Sequence, residues 1–244
     1  MIHLEEAGAP DGIPLVVLNG MPSSLDWADS LVKRVERTHH VYVPHLPGYG
    51  RTPARQPYVW GEVIAALEEA LTSKLRAPAV LVAFSGGVWR ALELAVRGNL
   101  AVRGVLGIGG TAHTPEAERV ALREFVTALR AGFDATSIAA ERFLATRRDP
   151  EAVAVVQRWV HAVTAGALAD EFEAFAAEPD LLPRLASLRC PVVLRTGSAD
   201  LACPPEKARA VGAVVPHARV EIVPGAGHAL WLEADHDVFD LGGL

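Results

Sequence analysis

The sequence predicts an α/β fold with a mostly parallel central sheet flanked by helices and one helical insertion. Three observations carry that prediction. Seven short apolar runs are spaced along the 244 residues, amphipathic helical stretches separate them, and the alternation lapses once, between Thr111 and Arg189. Short buried strands separated by helices are the pattern of βαβ units. The length and a hydrophobic content of 50% supply a good-sized core.

In chain order the strand-like runs are Ile2–Glu5, Leu15–Leu18, Val41–Val43, Val80–Ala83, Val105–Ile108, Val192–Leu194 and Val220–Val223. Between the second and third, Leu25, Ala28, Leu31, Val32 and Val35 form a helical stripe. Val63, Ile64, Leu67, Leu71 and Leu75 share a face before the fourth run, and Val88, Ala91, Leu92, Ala95 and Val96 share one after it. From Thr111 to Arg189 only helical text appears. Thr114-Pro115-Glu116 and Asp149-Pro150-Glu151 each read as an N-cap, a proline at the first helical position and an acid in the first turn. Gly132 and Gly166 read as breaks between helices. The expected organisation is a core of residues 1–110 and 190–244 carrying a helical insertion of residues 111–189.

Several function classes are disfavoured by composition. The net charge is −6 with no basic run, so there is no electrostatic footprint for nucleic acid or for an anionic membrane. No signal peptide and no spanning apolar segment is visible, and a cytoplasmic protein is the default expectation. Cys190 and Cys203 are the only cysteines. Two thiols make no disulfide framework and neither has metal-ligand spacing. Cys190 reads as a small core residue.

The chemistry begins at Ala83-Phe84-Ser85-Gly86-Gly87, close to G-x-S-x-G with alanine in the first glycine's place. Ser85 follows a predicted strand and opens a predicted helix, the context in which a tight turn lifts a nucleophilic serine. An ordinary βα turn would also accommodate it. A serine needs a base, and the base an orienting acid. Asp200 lies just past the "PVVLRTG" strand and His228 just past "VEIVPG". Each alone reads as a turn or capping residue. Together they give Ser, Asp and His in order at strand ends, where open α/β sheets place their ligands.

With "LVVLNGMPSS", "VYVPHLPGYGRT", "LVAFSGG", "PVVLRTGSADLACPPEKA" and "VPGAGHALWLEA", nearly the whole chain resembles a serine hydrolase of the α/β-hydrolase fold, esterase- or lactonase-like. The resemblance implies a helical cap at 111–189, and the sequence begins near the family's second strand. It implies an oxyanion hole from the backbone amides of Met21 and Gly86, with Gly20 allowing close approach. Asn19 stands where the family usually has His, and His45 where it usually has Asp. The two are expected to touch and exchange polar roles. Asn19, Gly20, Phe84, Phe143, Trp159 and Trp231 are the candidate substrate contacts, with Met21 beside them. Phe125, Phe133, Phe172 and Phe175 add apolar surface to the insertion, its pocket-facing side unassigned. Trp27 and Trp89 read as packing residues, and Arg90 and Arg195 as surface charges or structural pairs, with the holding of a substrate carboxylate as the alternative role.

The expected reaction is cleavage of a small ester or lactone through an acyl-enzyme, by a monomer or homodimer, with no metal or organic cofactor called for. Hydrolysis of a carbon–carbon bond or a thioester, acyl transfer, and small-ligand binding with little turnover remain open alternatives. Haloalkane dehalogenation is disfavoured, because its nucleophile would be an aspartate.

Overall fold

A computed structural model describes residues 1–244. Each of the seven apolar runs falls in a strand: β1 His3–Gly8, β2 Ile13–Leu18, β3 His39–His45, β4 Ala79–Phe84, β5 Val102–Ile108, β6 Val192–Gly197 and β7 Ala218–Val223. They form one sheet in the order β1-β3-β2-β4-β5-β6-β7. Only β1 runs antiparallel, against β3. Alternate residues of a strand face opposite sides of the sheet. Val16 and Leu18 therefore enter one hydrophobic cluster while Leu15 and Val17 enter the other.

The stripe at Leu25–Val35 becomes a 3-10 turn, Leu25–Ala28, running into helix α1, Asp29–Val35. Helices α2, Trp60–Lys74, and α3, Gly86–Arg97, bury most of the faces read from the sequence, with Ala95 and Val96 half-buried and Leu75 just past the end of α2. The core is completed by α9, Pro205–Val214, and α10, Leu230–Glu233. From 111 to 189 there is no strand. The helices there are α4 Glu116–Arg130, α5 Thr136–Phe143, α6 Pro150–His161, α7 Ala165–Ala177 and α8 Leu182–Leu185. Helix α4 packs on α7 and α5 on α6, giving two helix pairs. No single helix is long and apolar enough to cross a membrane.

Two boundary expectations need correction. Asp149 caps α6 as anticipated, accepting from Ala152 N at 3.1 Å. Thr114 caps nothing: its buried hydroxyl has no partner, and α4 begins only at Glu116. Gly166 does not interrupt a helix. It lies in the first turn of α7, whose N-cap is Thr164, so the break falls at 162–164. The Gly132 break is present, with φ +92° between α4 and α5.

Candidate active site

After β2 the chain steps one way to β3, and then returns to the other side of β2 to lay down β4. The crevice beyond the carboxyl ends of β2 and β4 is therefore a topological switch point. Asn19-Gly20-Met21 leaves β2 there and Ser85 leaves β4.

Ser85 has φ 53° and ψ −124°, the one non-glycine residue of the chain with positive φ. A side chain in that region of backbone space costs on the order of 1–3 kcal/mol and persists only where the surroundings enforce it. Here the turn passes directly from β4 into α3, and the strained residue projects past the end of the sheet. The Gly20 loop lies so close that a Cβ on Gly20 would sit 2.7 Å from Ser85 Cβ. Met21 packs over Gly86, where a Cβ would meet its Cε at 2.5 Å. Gly86 opens α3, and the first N–H groups of a helix have no intrahelical acceptor.

The loops after β6 and β7 bring in the other two residues. Asp200 Oδ1 accepts from Ala202 N at 2.8 Å and from Cys203 N at 2.7 Å. Its Oδ2 lies 2.8 Å from His228 Nδ1. Both side chains are buried, so the pair is held in a low-dielectric setting where a charge-assisted bond is strong. With Nδ1 donating to the carboxylate, Nε2 is left as the acceptor nitrogen. Neither Nε2 nor the Ser85 hydroxyl has a hydrogen-bond partner, and the two are not bonded to each other. Phe84, next to Ser85, has its ring 4.8 Å from the imidazole.

A cavity of about 370 Å3 opens over Ser85. Its wall takes Met21 and Gly86 from the core, Leu122 and Phe125 from α4, Ile138 and Phe143 from α5, and Leu168, Phe172 and Phe175 from α7. It thus lies between the two helix pairs of the insertion. Its charged wall residues are Glu118, Arg142 and Lys207, of which Lys207 and Glu118 pair with each other. Cys203 also lines it, but burial and the neighbouring Asp200 push its thiol up to about 12, so it stays protonated.

The candidate substrate contacts divide. Phe143 and Met21 reach the cavity; Asn19, Gly20, Phe84, Trp159 and Trp231 do not. Phe84 and Trp159 are buried, and with Trp231 and Trp27 they pack on one another at centroid distances of 5.3 Å (Trp27 to Trp231) and 5.4 Å (Phe84 to Trp159). They back the histidine rather than line the cavity. Large aromatics in a helical insertion bury area against each other first, and the sequence carries no signal of which face looks inward. Phe125, Phe172 and Phe175 line the cavity while Phe133 is exposed. Sequence reasoning missed Arg142, Lys207 and Glu118, which read as ordinary surface charges.

The expected exchange between Asn19 and His45 does not occur. His45 Nδ1 accepts from Arg51 N at 2.9 Å and Nε2 bonds Glu5 at 3.0 Å, leaving it no free nitrogen. Asn19 is buried with both side-chain polar atoms unpartnered. Arg90 and Arg195 are structural pairs: Arg90 with Glu171 of α7, Arg195 with Glu221 of β7.

The sequence model of a family described as "Alpha/beta hydrolase family" matches residues 15–241. A curated relative, a pimeloyl-[acyl-carrier protein] methyl ester esterase of Edwardsiella ictaluri, is 28% identical over 93% of this chain and 89% of its own. Among solved structures, a thermophilic esterase from Thermogutta terrifontis aligns with TM-score 0.80 at 22% identity, covering 95% of this chain and 88% of that one. The enol-lactonase from Burkholderia xenovorans aligns with TM-score 0.83 at 19% identity, covering 95% and 91%. These two share the fold. With its family match running from β2 to beyond β7, across the switch-point crevice and the insertion, the chain belongs to the alpha/beta hydrolase family.

Proposed function

We propose that this hydrolase cleaves a small carboxylic ester or lactone by nucleophilic catalysis at Ser85. The observation that carries the reading is the strained Ser85 backbone at the foot of an apolar cavity, in a site that also holds a buried Asp200–His228 pair. The serine Oγ attacks the substrate carbonyl carbon as His228 Nε2 takes its proton. Asp200 holds the tautomer and stabilises the imidazolium. Oγ and Nε2 come within bonding reach as substrate closes the site. The N–H groups of Met21 and Gly86 hold the oxyanion of the tetrahedral intermediate. Its collapse breaks the ester C–O bond, and His228 returns the proton to the leaving alcohol. Water, deprotonated by His228, then releases the acid from the acyl-enzyme.

The cavity wall is mainly hydrophobic, 14 of its 21 residues, which suits an aliphatic acyl chain. The curated relatives' name makes methyl esters of medium-length acyl chains, free or carried on a protein, the first compounds to assay. Thioester cleavage would use the same groups and belongs in the same panel.

The test is a panel of esters and lactones graded by acyl length, assayed with the protein and its Ser85→Ala variant. Hydrolysis should fall by roughly 10^4-fold or more in the variant while its thermal melting is unchanged. Retained hydrolysis would refute the mechanism. Failure of a fluorophosphonate to label Ser85 in the folded protein, with saturable ligand binding, would favour a binding protein instead.

A further inference from the structure

Glu233 stands five residues beyond His228, in the short helix α10, and nothing in the mechanism above uses it. Its carboxylate gathers four backbone N–H groups. Oε1 accepts from Ala145 at 2.9 Å, Thr146 at 2.7 Å and Arg147 at 2.8 Å. Oε2 accepts from Gly227 at 2.6 Å and, at the longer distance of 3.2 Å, shares the Ala145 N–H. The first three belong to the segment joining α5 to α6 in the insertion, and the fourth is the residue before the histidine.

A second contact joins the same two segments on the other side of His228. Ala229 N donates to Phe143 O at 3.0 Å, and the Phe143 ring stacks on the imidazole at 5.4 Å and 25°. His228 is thus gripped before and after by residues 143–147. The joint has no slack: a Cβ on Gly227 would lie 2.8 Å from Ala145 N and 2.9 Å from Glu233 Oε2.

We infer that Glu233 is a positioning residue which clamps the His228 loop to the α5–α6 segment and so sets the imidazole at Ser85. The inference rests on the proposed nucleophilic role of Ser85. Two properties favour a carboxylate here. It accepts at both oxygens, as two opposed sets of donors require, and hydrogen bonds to a charged acceptor are about twice as strong as neutral ones. A glutamine of the same shape has one acceptor end. Whichever way it turns, its NH2 faces either Gly227 N–H or the 145–147 amides, and one side of the clamp opens. An imidazole displaced by about an ångström loses about 100-fold in rate. The same segment lines the cavity through Phe143, so the base and the pocket wall move as one body.

The readout is the rate at which a fluorophosphonate labels Ser85, because it reports activation of the nucleophile without a known substrate. In Glu233→Gln the maximal labelling rate should fall by about tenfold to 100-fold, with the half-saturating probe concentration changed by no more than about twofold and cooperative melting retained. A purely structural residue would lower the melting temperature and leave the maximal rate alone. A folded Glu233→Gln protein that labels at the wild-type maximal rate overturns the inference. Should that variant not fold, Gly227→Ala tests the same joint by pushing it apart, and a wild-type rate there overturns it equally. Should neither fold, hydrogen exchange on the wild-type chain decides. Gly227 and Thr146 amides exchanging as freely as exposed loop amides would rule the clamp out. A folded wild-type protein that does not label at all sinks the nucleophile reading first, and this inference with it.

Discussion

Ala83 occupies the place where a glycine would complete G-x-S-x-G, and its surroundings explain why a methyl is accepted. It is the penultimate residue of β4, fully buried, and its partner on β5 is Gly107, which has no side chain to crowd it. The small residue that the turn requires lies on the other side of Ser85. A Cβ on Gly87 would sit 2.4 Å from Leu18 O, so the methyl at 83 costs nothing that Gly87 does not already secure. Ala83→Gly should therefore leave hydrolysis unchanged while lowering stability by about 1–2 kcal/mol, the sum of a lost buried methyl and added backbone entropy. Chemical denaturation beside an ester assay checks both halves. Gly20→Ala should do the reverse. A Cβ 2.7 Å from that of Ser85 must push the loop of the proposed oxyanion hole off the proposed nucleophile, and the labelling rate should drop by roughly 100-fold with little change in folding. At this scale the sequence was readable where chemistry demands order. Ser85, Asp200 and His228, the residues of the proposed triad, follow strand ends that the sequence marks, whereas the positive φ of Ser85 is a property of packing around it.

A buried ion pair and a lone carboxyl group sit where the helices of the insertion meet the core. Arg90 of α3 and Glu171 of α7 pair with no exposure to solvent. Tyr49 OH donates to the same carboxylate at 2.7 Å, the Trp60 ring faces the guanidinium at 4.5 Å, and Arg90 also donates to Asn19 O at 3.4 Å. Removing one partner leaves the other charged and unpaired in the interior, so Glu171→Ala should cost about 3–5 kcal/mol. Replacing both, as in R90L/E171M, should recover most of that loss, which denaturant midpoints of the three variants would report. The second group is Glu178, at the C-cap of α7. Burial, followed by the nearby Glu93 and opposed by Arg119, raises its carboxyl to about 7. A carboxyl that holds its proton more tightly folded than unfolded stabilises the fold below its ordinary range. That contribution fades as pH rises from about 4.5 to about 7. Wild-type melting temperature should accordingly fall relative to Glu178→Gln between pH 5 and pH 8, with the two alike at the acid end; a constant difference across that range would count against it. Periodicity showed that helices fill 111–189. It could not show that Arg90, which lies off the apolar stripe of α3, turns its charge inward to meet one of them, because that depends on which helix docks there.

For the whole molecule, the division between what the sequence shows and what it hides follows from the physics of each part. Strands and their order of function are written locally, as apolar runs ending in Asn19-Gly20, Ser85, Asp200 and His228. The cavity is written nowhere locally, since its wall is assembled from α4, α5 and α7 across the gap between two helix pairs. That assembly predicts how substrate length is read. The wall supplied by α4 and α7 carries Phe125 and Phe172, in edge-to-face contact at 5.4 Å, and a growing acyl chain buries one CH2 after another against apolar surface. Each buried CH2 contributes about 0.8 kcal/mol, or roughly fourfold in kcat/KM. For straight-chain methyl esters, kcat/KM should climb by about that factor per carbon and then stop abruptly once the cavity is full. Truncating the wall in Phe172→Ala should move the break to longer chains and leave the climb below it unaltered, because the short esters never reach residue 172. A break that stays in place after truncation would mean that the chain does not fill the gap between the helix pairs.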